Sequence, residues 1–173
     1  EVVTGELTRF AAGDPAAGTL TSGFYPILMF GLPAAALAMI HCARPGQRKA
    51  AVGILSAAAL TAFLTGVTEP LEFACMFVAF PLYVIHAVLT GTSLALTNAL
   101  GIHDGFGFSA GAIDYLLNFG QATRPLWLVV IGVGYAALYY FLFRFVIRKW
   151  NLRTPGREEE EDRESMVEAD TSA

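Results

Sequence analysis

Apolar positions in this chain come in long blocks, not in the narrow stripes of a soluble helical bundle. Residues 23–41 read GFYPILMFGLPAAALAMIH, and residues 125–147 are nearly as unbroken. At about 1.5 Å per residue, a bilayer core takes roughly 17–25 residues of helix, so each block is long enough for a full crossing. Pro26 and Pro33 predict kinks in the first span, and the Gly31-Leu32-Pro33 break could itself line a cavity. Residues 74–100 hold a further span, with Pro81 near its start. Ala51–Leu64 is short for a crossing. A re-entrant arm explains the shortness: the chain enters from the cytoplasm, turns near mid-depth at Gly66–Pro70 and returns. A kinked full span is the competing reading. The expected fold class is therefore all-α: a polytopic integral membrane protein with transmembrane helices and at least one re-entrant hairpin. An unusually oily soluble domain is the alternative.

The polar positions divide the rest. Residues 1–22 mix small residues with Glu6, Arg9 and the turn-like Gly13-Asp14-Pro15, and read as an interfacial loop or hinge. Residues 23–150 form the membrane part. Its basic loop Arg44-Pro45-Gly46-Gln47-Arg48-Lys49 is expected in the cytoplasm, as is the end of the last span with Arg144, Arg148 and Lys149. Trp127 and Trp150 suit interfacial anchors. The Gly-rich stretch 101–115 is too polar to span and too apolar for a solvated loop. It is expected to be partly buried, lying against a transport site or capping it. Residues 151–173 are read as a cytoplasmic linker and a disordered acidic tail.

Composition agrees. Of 173 residues 55% are hydrophobic, above the roughly 45–50% of soluble domains, and the mean hydropathy is +0.54. The net charge of −4 misleads, because eight of the fifteen acidic residues lie between Glu158 and Asp170. The body without that tail is slightly basic and gives no sign of nucleic-acid binding. Cys42 and Cys75 form no CxxC pair, and Cys75 reads as a small buried hydrophobe. There is no HExxH, no clustered Cys/His and no GxxxxGK[ST] phosphate loop, so neither a metal nor a cofactor is expected. The chain opens on Glu1 and reads as a piece of a longer protein.

The candidate chemistry centres on Glu69, in Thr65-Gly66-Val67-Thr68-Glu69-Pro70-Leu71-Glu72-Phe73 between two apolar runs. An ionisable group at membrane depth is expensive and usually faces a polar cavity. Gly66 and Pro70 disfavour a continuous helix there, and broken backbone inside a bilayer survives where it lines a wet or shielded site. A carboxylate accepts strong hydrogen bonds from sugar hydroxyls and can take a proton as general base. Capping of backbone N–H groups at the broken turn is the structural alternative for Glu69. Glu72 reads as structural, pairing with a basic residue elsewhere. His86 reads as a helix-packing histidine and His41 as a span-end residue at the interface. His103, beside Asp104, reads equally as functional or structural. Asp114 reads equally as a sugar ligand or a helix cap. Ala34–Ala38 reads as close-packing glue.

Met29–Met39 (MFGLPAAALAM), Thr65–Phe73 (TGVTEPLEF), Gly107–Tyr115 (GFSAGAIDY) and Asn151–Glu158 (NLRTPGRE) resemble the membrane-embedded IIC component of bacterial phosphotransferase-system sugar permeases, glucose superfamily. The resemblance covers about residues 8–158 and only the C-terminal half of such a permease. It implies group translocation in the bacterial plasma membrane. A sugar is carried across by an elevator-like motion and phosphorylated by a phosphocysteine on a cytoplasmic IIB partner. It implies that Glu69 binds sugar hydroxyls and is the base for the attacking one. The candidate substrate-binding set is Gly66, Thr68, Glu69, His103 and Asp114, with Glu69 also catalytic.

Ala110 in FSAGAIDY is similar to the N-acetylglucosamine branch, where glucose-type members carry histidine, so Ala110→His is expected to disturb amino-sugar uptake more than glucose uptake. Glucose or glucosamine is the next choice of sugar. IIB is expected as a separate protein docking on loops such as Arg44–Lys49, and homodimerisation through the permease half not present here. The rival readings are a proton-coupled sugar carrier without phosphorylation and a membrane scaffold without transport.

Overall fold

The computed structural model describes residues 4–158, with 74–78 described by backbone only. The expected disordered tail and the side chain of Cys75 therefore lie outside the described residues. The elements are α1 (Glu6–Ala11), a π-helical turn (Pro26–Gly31) running into α2 (Leu32–Cys42), α3 (Arg48–Thr65), α4 (Glu69–Val78), α5 (Phe80–Ala99), α6 (Ala112–Asn118) and α7 (Pro125–Lys149). Among the described residues there is no strand; one isolated bridge pairs His103 with Thr123.

Three helices, α3, α5 and α7, are long and apolar enough to cross a membrane, and Pro26–Cys42 is a shorter apolar helix. The break expected at Gly31-Leu32-Pro33 is corrected: Pro26 opens the π-helical turn, Pro33 lies in the first turn of α2, and Gly31 and Leu32 between them keep helical dihedrals. Pro33 has no N–H to offer the preceding turn, and the segment before it widens into π geometry. Pro81 sits in the first turn of α5, after a break at Ala79 with φ −145° and ψ 65°.

The expectation that the Ala51–Leu64 run is too short is corrected. Arg48, Lys49, Ala50 and Thr65 join it, and α3 reaches 18 residues. Arg and Lys are good helix formers whose stems extend an apolar helix while their charges stay wet. Length by itself therefore no longer argues for a re-entrant arm.

The core sits where α7 packs along the π-helical turn and α2, with α3 on the other side of α2. Ala35, Ala36 and Ala38 are buried there, as close packing requires. On α3 the buried positions Ala51, Leu55, Ala58 and Ala62 recur at helical spacing, while Val52, Ile54, Leu60 and Leu64 are exposed. On α7 the outer face shows Val130, Val133, Leu138, Phe141 and Phe145. Helices apolar outside as well as inside suit lipid as solvent.

Residues 4–22 are not a bare hinge. Glu6 Oε1 accepts from the Leu20 N–H at 3.0 Å and the Thr19 hydroxyl at 3.1 Å. The Thr21 hydroxyl donates to the Asp104 carbonyl at 2.7 Å, and the Asp104 N–H to the Gly18 carbonyl at 3.2 Å. This strand of contacts ties the segment to the polar stretch after α5. At the other end, the Arg44 N–H donates to the Gly156 carbonyl at 2.9 Å and the Arg157 Nη1 to the Cys42 carbonyl at 2.9 Å. The residues after α7 thus clasp the basic α2–α3 loop. His41, exposed at the end of α2, bonds Tyr140 Oη through Nδ1 at 2.9 Å.

Candidate functional site

The candidate site is a break between two helices. α3 ends at Thr65, and Gly66 caps it in the left-handed region with φ 72° and ψ 9°, its N–H donating to the Ala62 carbonyl. Glycine adopts that conformation without steric cost. Val67 and Thr68 follow outside helical geometry, and α4 starts at Glu69. Pro70 lies in the first turn of α4, where its missing N–H costs nothing.

Thr68 is buried and stands immediately before α4. Its carbonyl accepts the Leu71 and Glu72 N–H groups, both at 3.0 Å. Its hydroxyl donates to Glu72 Oε1 at 2.7 Å. Glu69 is exposed at the first position of α4, and makes no hydrogen bond or ion pair among the described residues. The depth expected from its flanking sequence is thus not burial within this chain. The apolar runs on either side fold away into α3 and α4 and leave the carboxylate uncovered.

The 107–111 segment is docked on the break. The Ser109 hydroxyl donates to the Gly66 carbonyl at 2.9 Å. A Cβ on Gly66 would stand 2.5 Å from Ser109 Oγ, and one on Gly111 would stand 2.5 Å from the Gly66 nitrogen. The Gly-rich stretch is partly buried, as expected, and lies against the broken turn through the Ser109 hydroxyl and the backbone at Gly111. Ala110, in the middle, is fully buried, so the position singled out for sugar choice is not open to solvent in this chain.

Asp114 holds this segment from α6. Its Oδ1 accepts the Gly107 N–H at 2.8 Å and its Oδ2 the Ser109 N–H at 3.2 Å. Both oxygens are engaged by backbone N–H groups that precede α6, and the N-cap of α6 is Gly111, with no side-chain cap. Asp114 is therefore not the expected helix cap: its carboxylate braces the 107–109 loop instead. His103 is not brought onto the break. Its Nδ1 lies 2.8 Å from the Pro15 carbonyl oxygen, and its backbone pairs with Thr123 at 2.7 and 3.3 Å. Gly66, Thr68 and Glu69 thus form one contiguous turn, Asp114 supports it through Ser109, and His103 serves a different junction.

Two features escaped the sequence. Glu72 Oε1, besides accepting from Thr68, lies 3.9 Å from His86 Nε2, and His86 Nδ1 lies 2.9 Å from Tyr139 Oη. Glu72 does meet a basic side chain and His86 does bridge helices, but the partners come from α5 and α7. The second is Asp104, fully buried and, among the described residues, with no hydrogen-bond partner on either carboxyl oxygen. Burial drives its pKa up to about 7, and the Asp114 charge adds to the rise, while the Gly105 N–H, close but not in bonding geometry, pulls the other way.

The sequence model of the family described as "Phosphotransferase system, EIIC" matches residues 2–91. The chain is 59% identical over 169 residues to the N-acetylglucosamine-specific EIIC component of Streptomyces coelicolor, covering 98% of this chain and 41% of that protein. It is 56% identical over 166 residues to the N-acetylglucosamine-specific EIICB component of Bacillus subtilis, covering 96% and 37%. It is 48% identical over 167 residues to the glucosamine-specific EIICBA component of Bacillus subtilis, covering 96% and 26%. The chain therefore spans less than half the length of these relatives. With a family match over more than half its residues and relatives 48–59% identical over nearly its whole length, this chain belongs to the phosphotransferase system EIIC family.

Proposed function

We propose that this chain is part of the membrane permease of a phosphotransferase system that takes up N-acetylglucosamine and phosphorylates it on arrival. The observation that carries this reading is the Thr68–Glu69 turn. A carboxylate stands unengaged at the start of α4, on a helix break that Ser109 and Gly111 pin from behind. A fixed turn with a free acceptor suits phosphoryl transfer, which asks mostly for positioning and charge stabilisation.

In this reading Glu69 accepts the hydrogen of the sugar hydroxyl to be esterified. The hydroxyl oxygen attacks phosphorus of a phosphocysteine on IIB, the P–S bond breaks, and the thiolate leaves with the bonding electrons. The hydroxyl proton passes to the Glu69 carboxylate. Gly66 and Thr68 shape the sugar side of the turn, and Asp114 keeps the segment behind it in place. His103 belongs to the site only if the complete permease brings the Pro15–His103 junction to the sugar.

Two of the relatives above carry N-acetylglucosamine in their names and one carries glucosamine, which supports an amino sugar and keeps glucosamine as the second choice. The Streptomyces relative is named as EIIC alone, which supports a separate IIB. The Arg44–Lys49 loop, clasped by residues 154–158, is a firm basic surface on which IIB docks from the cytoplasm. α3 and α4 form a re-entrant hairpin reversing at Gly66, the C-terminus is cytoplasmic, and dimerisation falls to permease segments outside these residues.

The test is the product inside vesicles holding the complete permease. Sugar phosphate that appears only with phosphorylated IIB supports the proposal. Unmodified sugar that accumulates with a proton gradient supports the rival carrier and sinks it.

A further inference from the structure

Resting on that reading, we infer that Glu72, backed by His86 and Tyr139, is a positioning residue that sets the first turn of α4 and thereby the direction of the Glu69 carboxylate. Thr68 and Glu72 are joined twice. The Glu72 N–H donates to the Thr68 carbonyl at 3.0 Å, and the Thr68 hydroxyl donates to Glu72 Oε1 at 2.7 Å. Glu69 lies between them in sequence, at the first residue of the helix. Rotation of that turn requires breaking the side-chain bond, and the bond is only as fixed as Glu72 itself.

Glu72 is anchored from outside its own helix. Its Oε1 lies 3.9 Å from His86 Nε2 on α5, and His86 Nδ1 lies 2.9 Å from Tyr139 Oη on α7. At 3.9 Å the Nε2–Oε1 approach is an electrostatic contact longer than a hydrogen bond; a hydrogen on Nε2 facing the carboxylate leaves Nδ1 to accept from the tyrosine hydroxyl, so the two contacts are compatible. His86 is 8% exposed and Tyr139 is fully buried. The Tyr139 ring also lies against the π-helical turn, where a Cβ on Gly31 would come within 2.9 Å of it. The line therefore runs from the main hydrophobic core to the residue before Glu69. Such lines transmit rigidity, because each buried member that loses its partner carries a desolvation cost.

The experiment measures GlcNAc phosphorylation by the complete permease with phosphorylated IIB. Glu72→Gln keeps the size of the side chain and loses the charge-assisted acceptor. It is expected to lower kcat about tenfold, the scale of a modest misalignment of a reacting group. Thr68→Val cuts the same path, so Glu72→Gln is expected to add nothing in that background. In a Thr68→Ser background, which restores a hydroxyl, the loss is expected to return. His86→Leu is expected to lower kcat about threefold, and His86→Gln, which retains an N–H donor, to recover most of it. Undiminished kcat in Glu72→Gln, or an equal loss in the Thr68→Val background, overturns the inference. Should Glu72→Gln fail to insert, equal rates in His86→Leu and His86→Gln overturn it instead. Wild-type permease that makes no sugar phosphate refutes the transport reading, a result distinguishable from active wild type with an equally active Glu72→Gln.

Discussion

Gly66 and Gly111 meet backbone to backbone. A Cβ on Gly111 would fall 2.5 Å from the Gly66 nitrogen, 2.5 Å from the Thr65 carbonyl carbon and 2.6 Å from the Leu64 carbonyl oxygen. None of these atoms belongs to a side chain that can swing aside. The helix break and the segment that supports it are therefore one rigid unit, and the rest of the candidate site depends on it.

Gly111→Ala separates that unit. The expected loss is about 1–3 kcal/mol, the range for overpacking a well-packed contact. Chemical denaturation of the purified permease in detergent checks it. A change under about 0.5 kcal/mol, the ordinary scatter of surface substitutions, would refute the backbone contact.

Glu69→Gln tests the catalytic assignment. The side chain is exposed and unengaged among the described residues, so the variant is expected to insert and to melt like wild type. Phosphorylation of the sugar is expected to vanish. Wild-type rates in the vesicle assay would remove Glu69 from the chemistry.

Asp104 gives the protein a pH-dependent stability. Its carboxyl titrates near 3.9 in an unfolded chain and at about 7 when buried here. The folded state thus holds a proton that the unfolded state releases. Stability is greatest below the unfolded pKa, falls as pH rises from about 4 to about 7, and stays low above that. The full span is worth about 4 kcal/mol at most. Asp104→Asn is expected to flatten this slope and to raise the melting temperature at pH 8. Melting curves of both proteins between pH 5 and pH 8 decide it, and parallel curves would count against the neutral acid.

Tyr139→Phe removes the hydroxyl 2.9 Å from His86 Nδ1 and leaves a buried ring nitrogen unpaired. The expected cost is about 1–3 kcal/mol. A thermal melt of the intact permease reads it, and an unchanged midpoint would show that the bond contributes nothing net.

Much of the membrane architecture was legible because bilayer insertion is governed by block length and proline position. The spans around α5 and α7, the break at Gly66–Pro70 and the close-packed alanines of α2 all follow from local rules. The bounds of α3 did not, because charged residues at a helix end extend an apolar run that hydropathy alone cuts short. The Gly-rich 101–115 stretch was marked as partly buried, yet nothing local shows that Ser109 and Gly111 fit against Gly66, some 43 residues earlier. Asp114 and His103 looked alike as candidates and turned out to serve different junctions.

Local sequence, then, determined which segments are apolar, that the helix breaks at Gly66–Pro70, and that an acid sits at the break. These depend on spacing and side-chain type along a stretch of a dozen residues or so. Tertiary structure alone decided that Glu69 is exposed while Thr68 beside it is buried, and that Glu72 reaches His86 and Tyr139 on two other helices. It also decided that the Asp104 carboxyl lies buried with no hydrogen-bond partner among the described residues. The reason is physical: burial and hydrogen-bond pairing depend on which helices pack together, and in this chain the pairs that matter lie far apart in sequence.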